Sequence, residues 1–135
     1  MSSAPHAIPH APSVVVFDLG GVLIDWNPRY LYRDVFGDAA EMEHFLAEIC
    51  SPAWNARQDA GRPWDEAVAE LSARHPSHAA QIAMYRDRWE QTLGDAIAPT
   101  VEVLRALHAQ GVRLYALTNW SQETFPVALK RFPFL

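Results

Sequence analysis

The chain contains one cysteine, Cys50, so no internal disulfide can form, and a lone thiol suits a reducing, cytoplasmic setting. It lacks an excess of basic charge. Eleven Lys and Arg against sixteen Asp and Glu leave a formal net charge of -5, and the basic residues are scattered, so neither nucleic acid nor a membrane surface is an expected partner. No apolar run approaches the roughly 18 residues of a spanning helix. The first stretch, MSSAPHAIPHAPS, has neither a basic start nor an apolar h-region, and so does not read as a secretory signal. Its three prolines mark residues 1–13 as a flexible tail. What the chain does have is apolar content: half of its 135 residues, enough to bury a substantial core in one domain.

Val14 to Phe17 is a continuous β-branched and aromatic run, the pattern of a parallel strand buried on both faces. It ends at a single acid, Asp18, followed by Gly20 and Gly21. From Trp26 to Gly94 the period becomes helical. In GDAAEMEHFLAEIC, Asp38 reads as an N-cap with Glu41 three residues on, ahead of Met42, Phe45, Leu46 and Ile49 at helical spacing. In RPWDEAVAELSARH, Pro63 opens a helix, Asp65 and Glu66 suit its first turn, and Pro76 marks its end. A third helix carries Ile82, Tyr85, Trp89 and Leu93 on one face, with Gly94 near its end. PTVEVLRALHAQG gives a stripe of Val101, Leu104 and Leu107 that stops at Gly111. VRLYALTN is a second strand, and SQETFPVALKRF a helix disturbed at Pro126.

The order is strand, a helical insert of about seventy residues, helix, strand, helix; the insert is too long and regular for a loop. This predicts an α/β fold with a right-handed crossover into a parallel, doubly wound sheet, where ligands bind beyond the carboxyl ends of the strands. Asp18 and Thr118 stand at two such ends. Although a hundred positions apart, they become neighbours in space if the two strands pair.

These residues resemble the haloacid dehalogenase-like hydrolase superfamily, in the branch of glucose-1-phosphate phosphatases and 2-haloacid dehalogenases. VVVFDLGGVLIDW is similar to its first motif, an apolar strand ending in Asp before a small residue and a hydrophobic turn, and LYALTNW to its second. The insert resembles the family's helical cap, and RFPFL the segment that leads to the next part of the core. The resemblance covers Val14 to Leu135 and implies a Rossmann-like core, here incomplete, at 14–25 and 96–135, with a cap at 26–95. It also implies a mechanism. Asp18 would be the nucleophile of a phosphatase of small phosphorylated metabolites, working through an aspartyl-phosphate intermediate. Mg²⁺ would be held by the Asp18 carboxylate and the Gly20 backbone carbonyl. Gly21 would let backbone amides approach the substrate, and Thr118 and Asn119 would bind its anion.

Two departures from the family pattern sharpen the expectation. Most phosphatases of the family place a second Asp, which protonates the leaving group, where this chain has Gly20. A 2-haloacid dehalogenase also lacks that acid, because halide leaves without a proton; acting on a haloacid without metal, it is the alternative enzyme reading. The family's third-motif Lys and fourth-motif acids lie beyond the second motif, and Lys130 is too close to Thr118 to serve as the former. A truncated, inactive fragment or interaction remnant is therefore the third reading.

Several residues have plainer roles. Trp26, Trp54, Trp64 and Trp89 read as packing, and Arg29 as a solvated charge. His75 and His78 read as surface histidines, because Pro76 breaks the helix that would align them. Ser121 competes with Thr118 and Asn119 as the cap of the last helix. Oligomeric state does not follow from the sequence.

Overall fold

The β-branched run from Val14 becomes a strand, β1 (Val14–Phe17), in a computed structural model that describes residues 13–135. The tail expected at 1–13 lies, apart from Ser13, outside the described residues. Then follow β2 (Ile24–Trp26), α1 (Arg29–Tyr32), α2 (Ala39–His44), α3 (Pro52–Asp59), α4 (Trp64–Arg74), α5 (Ala79–Asp87), β3 (Leu93–Ala96), α6 (Ala98–Ala109), β4 (Arg113–Ala116) and α7 (Phe125–Arg131). β1 and β4 pair in parallel, from Val14 against Arg113 to Phe17 against Ala116, with α6 as the crossover. The α/β class read from the sequence is what the chain adopts.

Two short strands, β2 and β3, close the two ends of the region that reads as helical from Trp26 to Gly94. They form an antiparallel ribbon, Ile24 against Ala96 and Trp26 against Leu93, across both ends of the helical insert. Bonds from Asn27 N to Thr92 O and from Ile97 N to Leu23 O, at 2.9 and 2.8 Å, extend the ribbon on either side. Gly94 accordingly sits inside β3 rather than at a helix end. α5 stops at Asp87, a 3₁₀ turn carries Trp89, and the apolar face read as one helix is divided among helix, turn and strand. All four of its residues are nonetheless buried, which is what their spacing recorded.

Inside the insert the helices pack on aromatic side chains. Tyr32, Phe45, Trp64 and Tyr85 are at most 1% exposed, and Trp64 stacks on Tyr85 at 5.5 Å between centroids. Asp38 caps α2 by accepting from Ala40 N at 3.2 Å. The helical run predicted beyond it widens into a π-helical turn at Phe45–Ile49, which keeps Phe45, Leu46 and Ile49 buried. The half-buried His78 packs beside Phe45, and the exposed Arg29 pairs with Glu43 at 2.6 Å.

Two further expectations are corrected. β1 is not buried on both faces: Val14 and Val16 are exposed, as are Tyr115 on β4 and Leu117 just beyond it, because no described element covers that face. Pro126 does not disturb α7 but lies in its first turn, where a missing N–H costs no helical bond.

Candidate active site

Register brings the strand ends together. Leu117 N donates to Phe17 O at 2.9 Å, one step beyond the last paired residues of β1 and β4, so Asp18 and Thr118 leave the sheet side by side. Both line one cavity of about 220 Å³, together with Gly20 and Asn119. The Asp18 carboxylate is fixed at one oxygen, Oδ1, by the backbone N–H of Leu19 at 2.8 Å, and the residue is exposed.

The turn after Asp18 is wound tightly around one carbonyl. Leu19 O accepts from Val22, Leu23 and Ile24 N at 3.1, 2.8 and 3.0 Å, while Gly21 N donates to Ile24 O at 2.8 Å. Closing that loop puts Gly21 at φ 79°, a left-handed conformation natural to glycine. Gly21 therefore shapes the turn and does not line the cavity. Gly20 faces open space: a Cβ built on it would meet nothing within 4 Å.

The opposite wall of the cavity comes from the insert. Trp26 on β2, Trp89 in the 3₁₀ turn, and Asn55 and Asp59 on α3 complete the lining with Trp120. Trp26 is half-buried and its Nε1 donates to Thr92 Oγ1 at 2.9 Å; Trp89 and Trp120 pack at 5.6 Å between centroids. Trp26 thus packs and lines the cavity at once. Lys130 lies exposed on α7 and does not reach the lining.

α3 is the element that sequence reading passed over. It begins at Ser51, whose Oγ accepts from Trp54 N at 3.1 Å, with Pro52 in its first turn. A Ser-Pro pair at a helix start is a recognisable signal, but α3 has almost no apolar stripe to accompany it. Its buried positions, Trp54 and Gln58, face the core, and the adjacent Asn55 and Asp59, four apart, face the cavity. Burial raises the Asp59 carboxyl above its ordinary range, and the nearby Ser121 backbone N–H opposes that shift.

For a metal, the described residues contain no group of three or more His, Cys, Asp or Glu. The available donors are the Asp18 carboxylate and the Gly20 carbonyl, which accepts no backbone hydrogen bond among the described residues. Two hard oxygens fit Mg²⁺, a cation that keeps several waters and often binds through one or two carboxylates plus substrate phosphate. They fall short of a Zn²⁺ site, which takes three or four protein ligands, most of them His or Cys.

Among the described residues no helix is long and apolar enough to cross a membrane. Comparison with curated proteins returns no match, and comparison with solved structures returns none. The family model described as "Hydrolase: haloacid dehalogenase-like hydrolase" matches residues 12–134, a span that includes both strand ends of the cavity and the whole insert. The chain belongs to the haloacid dehalogenase-like hydrolase family.

Proposed function

We propose that this hydrolase is a Mg²⁺-dependent phosphatase of small phosphorylated metabolites. The observation that carries the reading is the convergence of Asp18, Thr118 and Asn119 on one small cavity, with a carboxylate and two neutral hydrogen-bonding side chains at adjoining strand ends. Asp18 attacks phosphorus in line, the phosphorus–oxygen ester bond breaks, and an aspartyl-phosphate forms. Water then attacks that phosphorus, the bond to Asp18 breaks, and inorganic phosphate leaves. The Thr118 hydroxyl and the Asn119 amide donate to the phosphoryl oxygens, where negative charge must be held through both steps.

When held by the Asp18 carboxylate and the Gly20 carbonyl, Mg²⁺ supplies positive charge against those oxygens. The insert acts as a cap. Trp26 and Trp89 of the insert, with Trp120, give the cavity an aromatic wall. A volume of about 220 Å³ favours a small substrate.

Gly20 favours a second reading, a metal-independent 2-haloacid dehalogenase, because halide departs without the proton that an acid there would supply. One pair of assays separates the two. Phosphate release from p-nitrophenyl phosphate that requires Mg²⁺ and is lost in Asp18→Asn, with 2-chloropropionate untouched, supports the phosphatase. Metal-independent chloride release supports the dehalogenase instead. Asn at position 18 keeps an oxygen for Leu19 N, so the variant is expected to fold normally while turnover falls by on the order of 10³-fold or more.

A further inference from the structure

The reaction just proposed needs a proton donor for an alkoxide leaving group, and Gly20 cannot supply one. We infer that Asp59, brought to the cavity by α3, is the general acid and base of this site. The inference rests on the phosphatase reading.

The geometry behind it is specific. Apart from Asp18, Asp59 is the only acid lining the cavity among the described residues, and the two come from different elements, one from the end of β1 and one from α3 of the insert. In-line displacement requires a proton donor beside the departing oxygen, away from the nucleophile, and a second acid carried by a separate element is the group in this cavity that could take that place. Asp59 also joins none of the ion pairs among the described residues, so no cation holds it ionised. The Ser121 backbone amide, in the segment that follows Thr118 and Asn119, lies near enough to oppose the upward shift that burial gives the Asp59 carboxyl.

The titratable groups around it are Asp18, which lines the same cavity, the buried Tyr85 hydroxyl, close enough to feel the Asp59 charge, and Cys50, which shares an adjoining cleft; none of them is a cation. Arg29 lines that cleft too, but its guanidinium is committed to Glu43. Burial then favours the protonated form that an acid must have at the start of the reaction.

In the first step the ester bond breaks and the Asp59 proton passes to the departing oxygen, which leaves as an alcohol. In the second, the Asp59 carboxylate takes a proton from water as the water oxygen bonds to phosphorus and Asp18 is released. The site returns to its starting protonation state.

The test compares Asp59→Asn with the unaltered chain on two substrates, p-nitrophenyl phosphate, whose leaving group needs no proton, and glycerol phosphate, whose leaving group does. For glycerol phosphate kcat/KM should fall by about 10²- to 10⁴-fold. For p-nitrophenyl phosphate kcat/KM should change little, and a burst of p-nitrophenolate should appear as the second step slows. Equal losses on both substrates, or no loss on either, would overturn the role while leaving the phosphatase reading intact. Absence of Asp18-dependent turnover in the unaltered chain would overturn that reading, and the role of Asp59 with it.

Stability separates this role from a structural one. The folded chain holds the Asp59 proton to higher pH than the unfolded chain, so stability is lost as pH rises from the ordinary value, 3.8, through the raised folded value. Asp59→Asn removes that cost and keeps the side chain's size and shape. It should be at least as stable as the unaltered chain to urea at pH 7, with the gap narrowing as pH falls toward 3.8. A variant less stable at pH 7 would point to a structural carboxylate and count against the proposal.

Discussion

The backbone N–H of Trp64 donates to Glu123 Oε2 at 2.9 Å, a bond between residues 59 apart in the chain. Trp64 is the first residue of α4, and Pro63 before it offers no side-chain cap, so a carboxylate from the segment after β4 satisfies one of the orphan amides of that helix. The indole of the same residue donates to Ser121 Oγ at 3.2 Å. One tryptophan thus fastens the helical insert to the loop that carries Thr118 and Asn119.

Glu123→Ala should therefore destabilise the chain by about 1 kcal/mol, the usual worth of an N-cap. Glu123→Gln retains an acceptor and should lose less. Urea denaturation of both variants measures the difference; equal stability in Ala and Gln would mean that the bond contributes nothing.

Gly94→Ala tests the ribbon at the base of the insert. A Cβ at position 94 would fall 2.5 Å from Asp25 Oδ2 and 2.9 Å from its Cγ, distances no real contact sustains. Asp25 is not free to swing away without cost, because Tyr30 Oη donates to the same oxygen at 2.5 Å. The variant should lose about 1 to 3 kcal/mol. Asp25→Ala in the same chain removes the two nearest atoms but keeps Cβ, 3.0 Å from the added methyl, so it should recover part of the loss, and thermal melts of the single and double variants read out that coupling.

Much of the site was legible because it depends on strand ends. The Val14–Phe17 run, Asp18 at its close and LYALTN a hundred residues on specify two parallel strands, and pairing them forces Asp18 and Thr118 together whatever the insert does. The insert's wall was less legible. α3 has only Trp54 and Gln58 buried, too few for a periodic signal, so Asn55 and Asp59 gave no sign of facing a cavity. β2 and β3 are three and four residues long and draw their stability from each other, a long-range pairing that local propensity does not register. The exposed face of β1 escaped for a related reason: a run of valines reports that a strand forms, not what covers it.

Cys50 supplies a check on the insert's core. It is 2% exposed, and burial alone pushes its thiol well above the ordinary range, so the reactive thiolate is scarce in the folded chain. Labelling by a thiol reagent at pH 8 should be on the order of 100-fold slower or more than in the urea-unfolded chain, because it must wait for local opening. Labelling at the unfolded rate in native buffer would show that the aromatic core around Tyr32 and Tyr85 is loosely held.

The most direct examination of the site is to restore the acid that position 20 lacks. Open space beyond the Gly20 α-carbon admits a side chain, and its φ is not in the left-handed region, so Gly20→Asp should fold without strain. A carboxyl at that position stands two residues from Asp18, on the turn that holds the nucleophile. Where Asp59 already serves as acid, the added carboxyl should change kcat/KM for glycerol phosphate by less than tenfold, because proton transfer is already provided. In Asp59→Asn, by contrast, the same substitution should recover about a hundredfold, the scale of general acid catalysis itself. Rescue confined to the double variant would place the missing proton with Asp59, whereas an equal gain in both backgrounds would mean that neither background had a proton donor.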